Sequence, residues 1–216
     1  MLNKMLEMIK TSYELTEIDV KEYSKIKAKG MKFDIKAYYA KGLGHVSVMT
    51  ARGFFGLMKM DTLIINALDK DLPLYSYDRV HAMGNDTLII ELYDTLINLS
   101  EFVDLNEVND KFADIPKHNL GTHWYDSIKL KESVSVKGKV KKDKELYDKY
   151  ALEHFQAYIN TVNGDIEVDS VLKNEKASVY VEGLLKNGGP STDVFKKALG
   201  VEATAELFRN YLFGTK

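Results

Sequence analysis

From residue 33 to residue 94 apolar and polar residues alternate with a period of two. The stretches "FDIKAYYAKG", "HVSVMTARG", "LMKMDTLIINAL", "LYSYDRVHA" and "TLIIELYD" carry this pattern. It predicts five β-strands, because successive side chains of a strand point to opposite faces. The links between them are short and rich in Gly, Asp, Asn and Pro. Strands joined this closely pair antiparallel, since a parallel crossover needs a dozen or more residues. The sharpest turn signal is "MGNDT" (83–87), a Gly-Asn-Asp turn between two alternating runs, which predicts a hairpin.

Helical spacing frames this block. Leu2, Met5, Leu6 and Ile9 recur at intervals of three and four and predict a helix over 2–10. Residues 19–29 read as a second short helix or turn closed by Gly30. The polar stretch 98–123 reads as a long connection with one helical turn, and "WYDSIKLKESVSVKGK" (124–139) as a further strand. From residue 143 Leu146, Tyr147, Tyr150, Ala151, His154, Phe155 and Tyr158 share one helical face, and "NGD" (163–165) stops that helix. Another helix over 167–186 ends at Asn187-Gly188-Gly189, where glycine suits the positive φ of a helix C-terminus. Pro190 opens the last region. Ser191 or Thr192 can cap a helix carrying Val194, Phe195, Ala198 and Leu199. After Gly200, Leu207, Tyr211 and Leu212 form a final stripe.

Helix, then strands, then helices imply one α+β domain over 1–216, an α/β/α sandwich with a central antiparallel sheet flanked by helices on both faces. Residues 1–30 form its helical N-terminal segment, 33–139 are mainly sheet and 143–214 mainly helical. With 216 residues, 45% of them hydrophobic, such a domain can bury a sizeable core.

Charge and composition remove several function classes. The 30 basic and 32 acidic residues leave a net charge of −2, too little for a whole-chain field that holds nucleic acid. The absence of cysteine excludes disulfides, thiolate catalysis, and cysteine-held zinc or iron–sulfur clusters. Charges break every apolar run of the N-terminus, and no segment approaches the roughly 18 apolar residues of a membrane helix. A soluble cytoplasmic monomer without nucleic-acid or membrane partners is expected.

No phosphate loop, dinucleotide fingerprint or nucleophile elbow occurs. His118 and His123 lie near Asp114 and Asp126 without a recognised ligand spacing, so no metal is expected. His154, on an apolar helix face, reads as a core or cleft-edge histidine. The basic run "KGKVKKDK" (137–144) reads as a solvated turn or as a dock for an acidic protein. Asp61 and Asp78 are the unusual residues, because both fall inside strand patterns. Asp78 shares a strand face with Leu74, Ser76, Val80 and Ala82. Asp61 shares one with Leu57, Lys59, Leu63 and Ile65. If the two strands pair so that both carboxyls project to one side, one of them holds its proton toward neutral pH, as a general acid must. The alternative is a partly wet sheet with each aspartate solvated or salt-bridged.

"LPLYSYD" (72–78) resembles the motif of the ferredoxin-dependent bilin reductases, Leu-Pro-Leu-Phe, two small residues and a catalytic aspartate on a strand. Ahead of it, "TARGFFGLMKMDTLIINALDKDLPLYSYD" is similar to the family's Ala-Lys…Gly-Leu run without a gap. "HWYDSIKLKESVSV" falls where the family has a Trp followed by a strand. "KNGGPSTDVFKKALGVEATAELFRNYLFG" resembles its C-terminal ending. The resemblance spans about residues 33–214. It implies an antiparallel sheet between helices and the reduction of a linear tetrapyrrole such as biliverdin. Single electrons would come from an external ferredoxin, by a radical mechanism with no permanently bound cofactor.

By the motif, Asp78 is the implied proton donor, with Asp61 as its partner. Met49 and Asp61 stand where well-characterised members carry a glutamate and a histidine. Arg52 and Arg79, two of only three arginines, are candidates to grip propionates, although a salt bridge serves Arg79 equally well. Asn187 belongs to the implied substrate-binding turn. The family's aspartate in that turn is replaced by the glycines of "KNGG", and Asp193 lies one turn into the next helix. "KGKVKKDK" is the implied ferredoxin edge. A non-catalytic tetrapyrrole or other small-molecule binder on the same fold is the alternative function.

Overall fold

A computed structural model describes residues 1–98, 100–161, 168–189 and 191–216. Its centre is an antiparallel sheet with strands β1 (Leu15–Ile18), β2 (Lys25–Ala28), β3 (Met31–Ala40), β4 (Gly44–Gly53), β5 (Met58–Asn66), β6 (Leu74–Ala82), β7 (Asn85–Tyr93) and β8 (Val134–Lys139). The order is β1-β3-β4-β5-β6-β7-β8, and β2 pairs the other half of the same β3 edge. Each alternating run thus pairs with its sequence neighbour, as short links require.

Helices cover both faces. On one face α1 (Leu2–Ser12), α2 (Val103–Lys111) and α3 (Val140–Asn160) pack on Val46, Val48, Leu63, Tyr75, Tyr77, Leu88 and Ile90. On the other face α4 (Ser170–Asn187), α5 (Thr192–Leu199), α6 (Val201–Glu206) and a π-helical stretch, Leu207–Leu212, pack on Phe33, Ile35, Met49, Ala51, Ile64 and Tyr93. The α+β sandwich follows from the alternation itself: nearly every central strand has apolar residues in both rows, so both faces need a cover.

Four local expectations are corrected. Residues 19–29 form a 3₁₀ turn, Lys21–Ser24, followed by β2, and β1 precedes them. β2 buries only Ile26 and Ala28 and β1 fully buries no residue, too little to distinguish a period of two from a turn. The long connection holds a nine-residue helix, α2, whose polar composition comes from burying little beyond Leu105. Of 124–139, only 134–139 is strand. The hairpin turn is Met83-Gly84, since Asn85 already pairs with Ala82. The "NGD" stop, the start of the 167–186 helix at residue 167 and the Pro190 opening lie outside the described residues.

Asp169 caps α4, its carboxylate accepting from the backbone N–H groups of Val171 and Leu172. His154 is fully buried on α3, with Nε2 at 3.1 Å from the Glu132 carbonyl. Burial pushes its pKa down to about 4. Among the described residues no helix is long and apolar enough to cross a membrane.

Candidate functional site

Strand register decides what surrounds Asp78. β5 and β6 pair Thr62 with Asp78, and Asp61 with Arg79. Directly opposed residues of paired strands share a face, so Asp78 projects toward α4 and Asp61 toward α3. This corrects the expectation of two aspartates on one side. A one-residue difference in register exchanges the faces of a whole strand.

Asp61 is instead held by Arg52, with Nη2 2.5 Å from Oδ1 on the α3 face. Arg79 is almost fully buried on that same face. Its Nε and Nη2 donate to both oxygens of Asp86 at 2.5 and 2.6 Å, and its guanidinium lies over the Tyr147 ring. Neither arginine reaches the Asp78 face. Both guanidinium groups are paired with carboxylates of the chain, and for Arg79 this is the salt-bridge alternative.

Asp78 lies on the floor of a cleft between the sheet and α4, α5 and the C-terminal segment. The cleft contains about 580 Å³ of non-atom space, its open mouth included. Met49, Thr62, Ser76 and Glu91 share the floor with Asp78. Tyr93, Tyr125, Tyr180 and Phe213 are among its aromatic walls, and Gly189, Ser191 and Thr192 belong to its lining. Asn187, exposed at the end of α4, does not line it. Thr62 Oγ1 donates to Asp78 Oδ1 at 2.5 Å. Burial raises the carboxyl's pKa to about 6. The Thr62 hydrogen bond works against this rise, and the charge of Glu91 adds to it.

Glu91 is the residue that sequence reasoning missed. It sits opposite Ser76, diagonal to Asp78 across the β6–β7 pair. It is buried, and its Oε2 accepts from the Tyr93 hydroxyl at 2.6 Å. Its Oε1 lies 3.5 Å from Lys129 Nζ, which is itself 3.0 Å from Asp126 Oδ1. The site therefore does hold two carboxyls, but the second comes from β7. The available signal was the tail of "TLIIELYD", where a glutamate interrupts an otherwise apolar run.

Aromatic packing fixes the walls. The Tyr93 and Tyr180 rings stack with centroids 4.1 Å apart, and Tyr125 meets Tyr93 edge-on at 5.6 Å. Burial holds all three phenols well above their usual pKa, so they remain hydrogen-bond donors. Trp124 lies against α4 at Gly183, where a Cβ would come within 2.1 Å of its ring. Its Nε1–H donates to the Gly188 carbonyl at 3.1 Å. The glycine turn is thus tied to the strand side of the cleft. Asp193 places a carboxylate oxygen 3.4 Å from where a Cβ on Gly188 would stand.

His123 and Asp126 come together, with the ring stacked on Tyr125 and Nδ1 3.8 Å from Oδ1. His118 instead joins backbone to backbone with Ser135. Among the described residues no group of three His, Asp or Glu side chains is placed to hold a metal.

The fold matches a solved structure, phytochromobilin synthase from tomato in complex with biliverdin. The TM-score is 0.76 at 11% sequence identity, over 99% of this chain and 82% of that one. No protein-family model and no curated protein matches the sequence.

Proposed function

We propose that this protein binds a linear tetrapyrrole in the cleft above Asp78 and reduces it with electrons from a ferredoxin-class carrier. The observation that carries the reading is the Asp78 carboxyl. It lies at the floor of an aromatic-walled cleft, with its pKa lifted to about 6, on a fold shared with an enzyme solved with biliverdin bound. Reducing one double bond of such a pigment takes two electrons and two protons. A carrier that delivers electrons singly leaves a radical between the two steps, and each added electron raises the basicity of the pigment. A carboxylic acid that keeps its proton near neutral pH is suited to protonate that species.

Asp78 is the donor in this reading. Glu91 supports it twice over: its negative charge raises the Asp78 pKa, and its contact with Lys129 leads toward the surface, a route by which the spent proton is replaced. Met49 and Ile64 offer apolar floor, and Tyr125 offers a hydroxyl donor to a lactam carbonyl, the Tyr93 hydroxyl being donated to Glu91. Among the described residues no basic side chain lines the cleft, so the propionates of a bilin would extend to its mouth and into water.

The test is an anaerobic assay with biliverdin and a reduced ferredoxin system, followed by visible absorbance. Turnover in the parent with loss in Asp78→Asn is the expected result. A spectral shift on mixing without turnover would favour the second reading, a tetrapyrrole binder without catalysis. That reading rests on the glycines at 188 and 189, where the resemblance implies a carboxylate. No spectral change at all would overturn both.

A further inference from the structure

Three turns and one strand–helix junction meet at one end of the sheet, away from the Asp78 site along the strands. They are Lys29-Gly30 between β2 and β3, Phe54–Leu57 between β4 and β5, Met83-Gly84 between β6 and β7, and the passage from β8 into α3 at Lys139-Val140. Backbone contacts lock them side by side. The Met83 N–H donates to the Leu57 carbonyl at 3.2 Å, and the Val140 N–H to the Gly84 carbonyl at 3.0 Å.

The two central turns are apolar where water should favour polar residues. Phe55 is wholly exposed (109%), Met83 84%, Leu57 63% and Phe54 53%. Phe54, Phe55 and Met83 also adopt φ of 50°, 55° and 51°. Hairpin tips normally fill this left-handed region with Asn or Gly. Two phenylalanines and a methionine there are unfavourable both for backbone strain and for exposure. Phe55 and Met83 gain little burial in return, being 109% and 84% exposed. Clustered exposure of this kind marks a surface that is covered in use.

The fringe is basic. Lys29, Lys32 and Lys59 flank the tips, and "KGKVKKDK" supplies five lysines against one aspartate at the adjoining junction. That aspartate, Asp143, is turned inward to accept from the Lys139 N–H. Among the described residues Lys29, Lys32, Lys59, Lys141 and Lys142 form no ion pair. A chain of net charge −2 therefore concentrates unpaired positive charge around its most exposed apolar side chains.

We propose that this end of the sheet docks on an anionic lipid surface. Phe54, Phe55, Leu57 and Met83 would enter the headgroup–acyl boundary, and the surrounding lysines would meet lipid phosphates. The sequence predicted no membrane partner because it holds no membrane-length apolar run, but a peripheral contact needs only a few apolar side chains and a basic rim. An acidic protein would be attracted by the same lysines. Apolar side chains as exposed as Phe55 and Met83 suit insertion into a deformable apolar layer better than contact with a charged protein surface. The inference is independent of the tetrapyrrole reading.

Vesicle flotation of the full chain tests it, with phosphatidylcholine alone and with phosphatidylcholine–phosphatidylglycerol mixtures. Binding is expected to the mixed vesicles only, weakening as salt rises from about 0.05 to about 0.5 M. The double variant Phe54→Gly/Phe55→Gly should bind at least about tenfold more weakly. Its melting temperature should equal or exceed the parent's, because glycine relieves the positive φ. Lys59→Glu/Lys142→Glu should also bind more weakly. If the parent does not float with anionic vesicles at low salt, or the double glycine variant floats as well as the parent, the inference fails. It fails equally if vesicles are ignored while Phe55→Gly weakens association with an acidic electron carrier.

Discussion

At the middle of the β6 strand the two faces of the sheet treat charge in opposite ways, around Arg79 on one side and Asp78 on the other. Toward α3, Arg79 is gripped by both oxygens of Asp86, approached by Asp148 at 3.4 Å and lies over Tyr147. Arg52 closes on Asp61 nearby. Toward α4, Asp78 has one hydroxyl donor, Thr62, and Glu91 has a phenol and a lysine beyond ordinary hydrogen-bond distance. A buried ion pair satisfies both partners and leaves the proton inventory unchanged. A desolvated carboxyl without a cation keeps its proton instead. The first arrangement holds structure together, and the second stores a proton beside an open cleft.

The largest effect should come from breaking the closed face. Asp86→Ala leaves Arg79 buried without its main partner and should cost about 3–5 kcal/mol in chemical denaturation. A loss below about 1 kcal/mol would show that Asp148 and water replace Asp86, and the contrast between the faces would weaken.

Asp78→Asn acts with the opposite sign. The native pKa of about 6 exceeds the ordinary carboxyl value of 3.8, so the folded protein binds the proton more tightly than the unfolded chain. Stability contributed by the protonated form is full below pH 4 and is lost as pH rises through about 6. The variant should therefore be more stable than the parent at pH 7, by an amount on the order of 2 kcal/mol. The difference should vanish below pH 4. In the reduction assay the same variant should lose about a hundredfold or more of its rate, and the parent's proton-donating step should fade as pH rises past 6. Equal stabilities at pH 7 would mean that Asp78 is ionised and solvated.

Glu91→Gln should remove the negative charge that helps hold the Asp78 proton, so the Asp78 pKa should move down, read from its carboxyl signal in NMR or infrared titration. The stability change should stay near about 1 kcal/mol, because the Tyr93 hydrogen bond persists with an amide oxygen. An unmoved Asp78 pKa would separate the two carboxyls.

Asp61→Asn should have the smallest effect, under about 1 kcal/mol, since its partner Arg52 is 42% exposed and solvent screens the pair. It should leave reduction of the pigment unchanged. A large loss of turnover in Asp61→Asn would restore the partnership with Asp78 that the register denies.

Much of the fold was legible. Periods of two and of three to four located α1, the five strands of 33–94, α3 and the C-terminal helices, because each element must hide an apolar row. The elements that were misread were those with little to hide: β1 and β2 with two pairs of residues each, and α2 with one buried leucine. Of the site, Asp78 was visible as a carboxylate in a strand, and Met49 shares its floor. Glu91 was not singled out: it interrupts an apolar run, but spacing does not tell a glutamate facing a cleft from one facing water. Phe54 and Phe55 fell in the link between two strand runs, but their exposure beside Met83 was silent, because spacing does not show which turns lie side by side.

The sequence alone determined that a sheet would form, that helices would cover both faces, and that Asp78 lies in the row of Leu74, Ser76 and Val80. These follow from spacing within one segment. Only the tertiary structure decided that Thr62 rather than Asp61 meets Asp78, that Glu91 joins it from β7, and that two apolar turns lie side by side. The first two depend on register between strands, which a slip of one residue would reverse, and the third on which strands lie side by side.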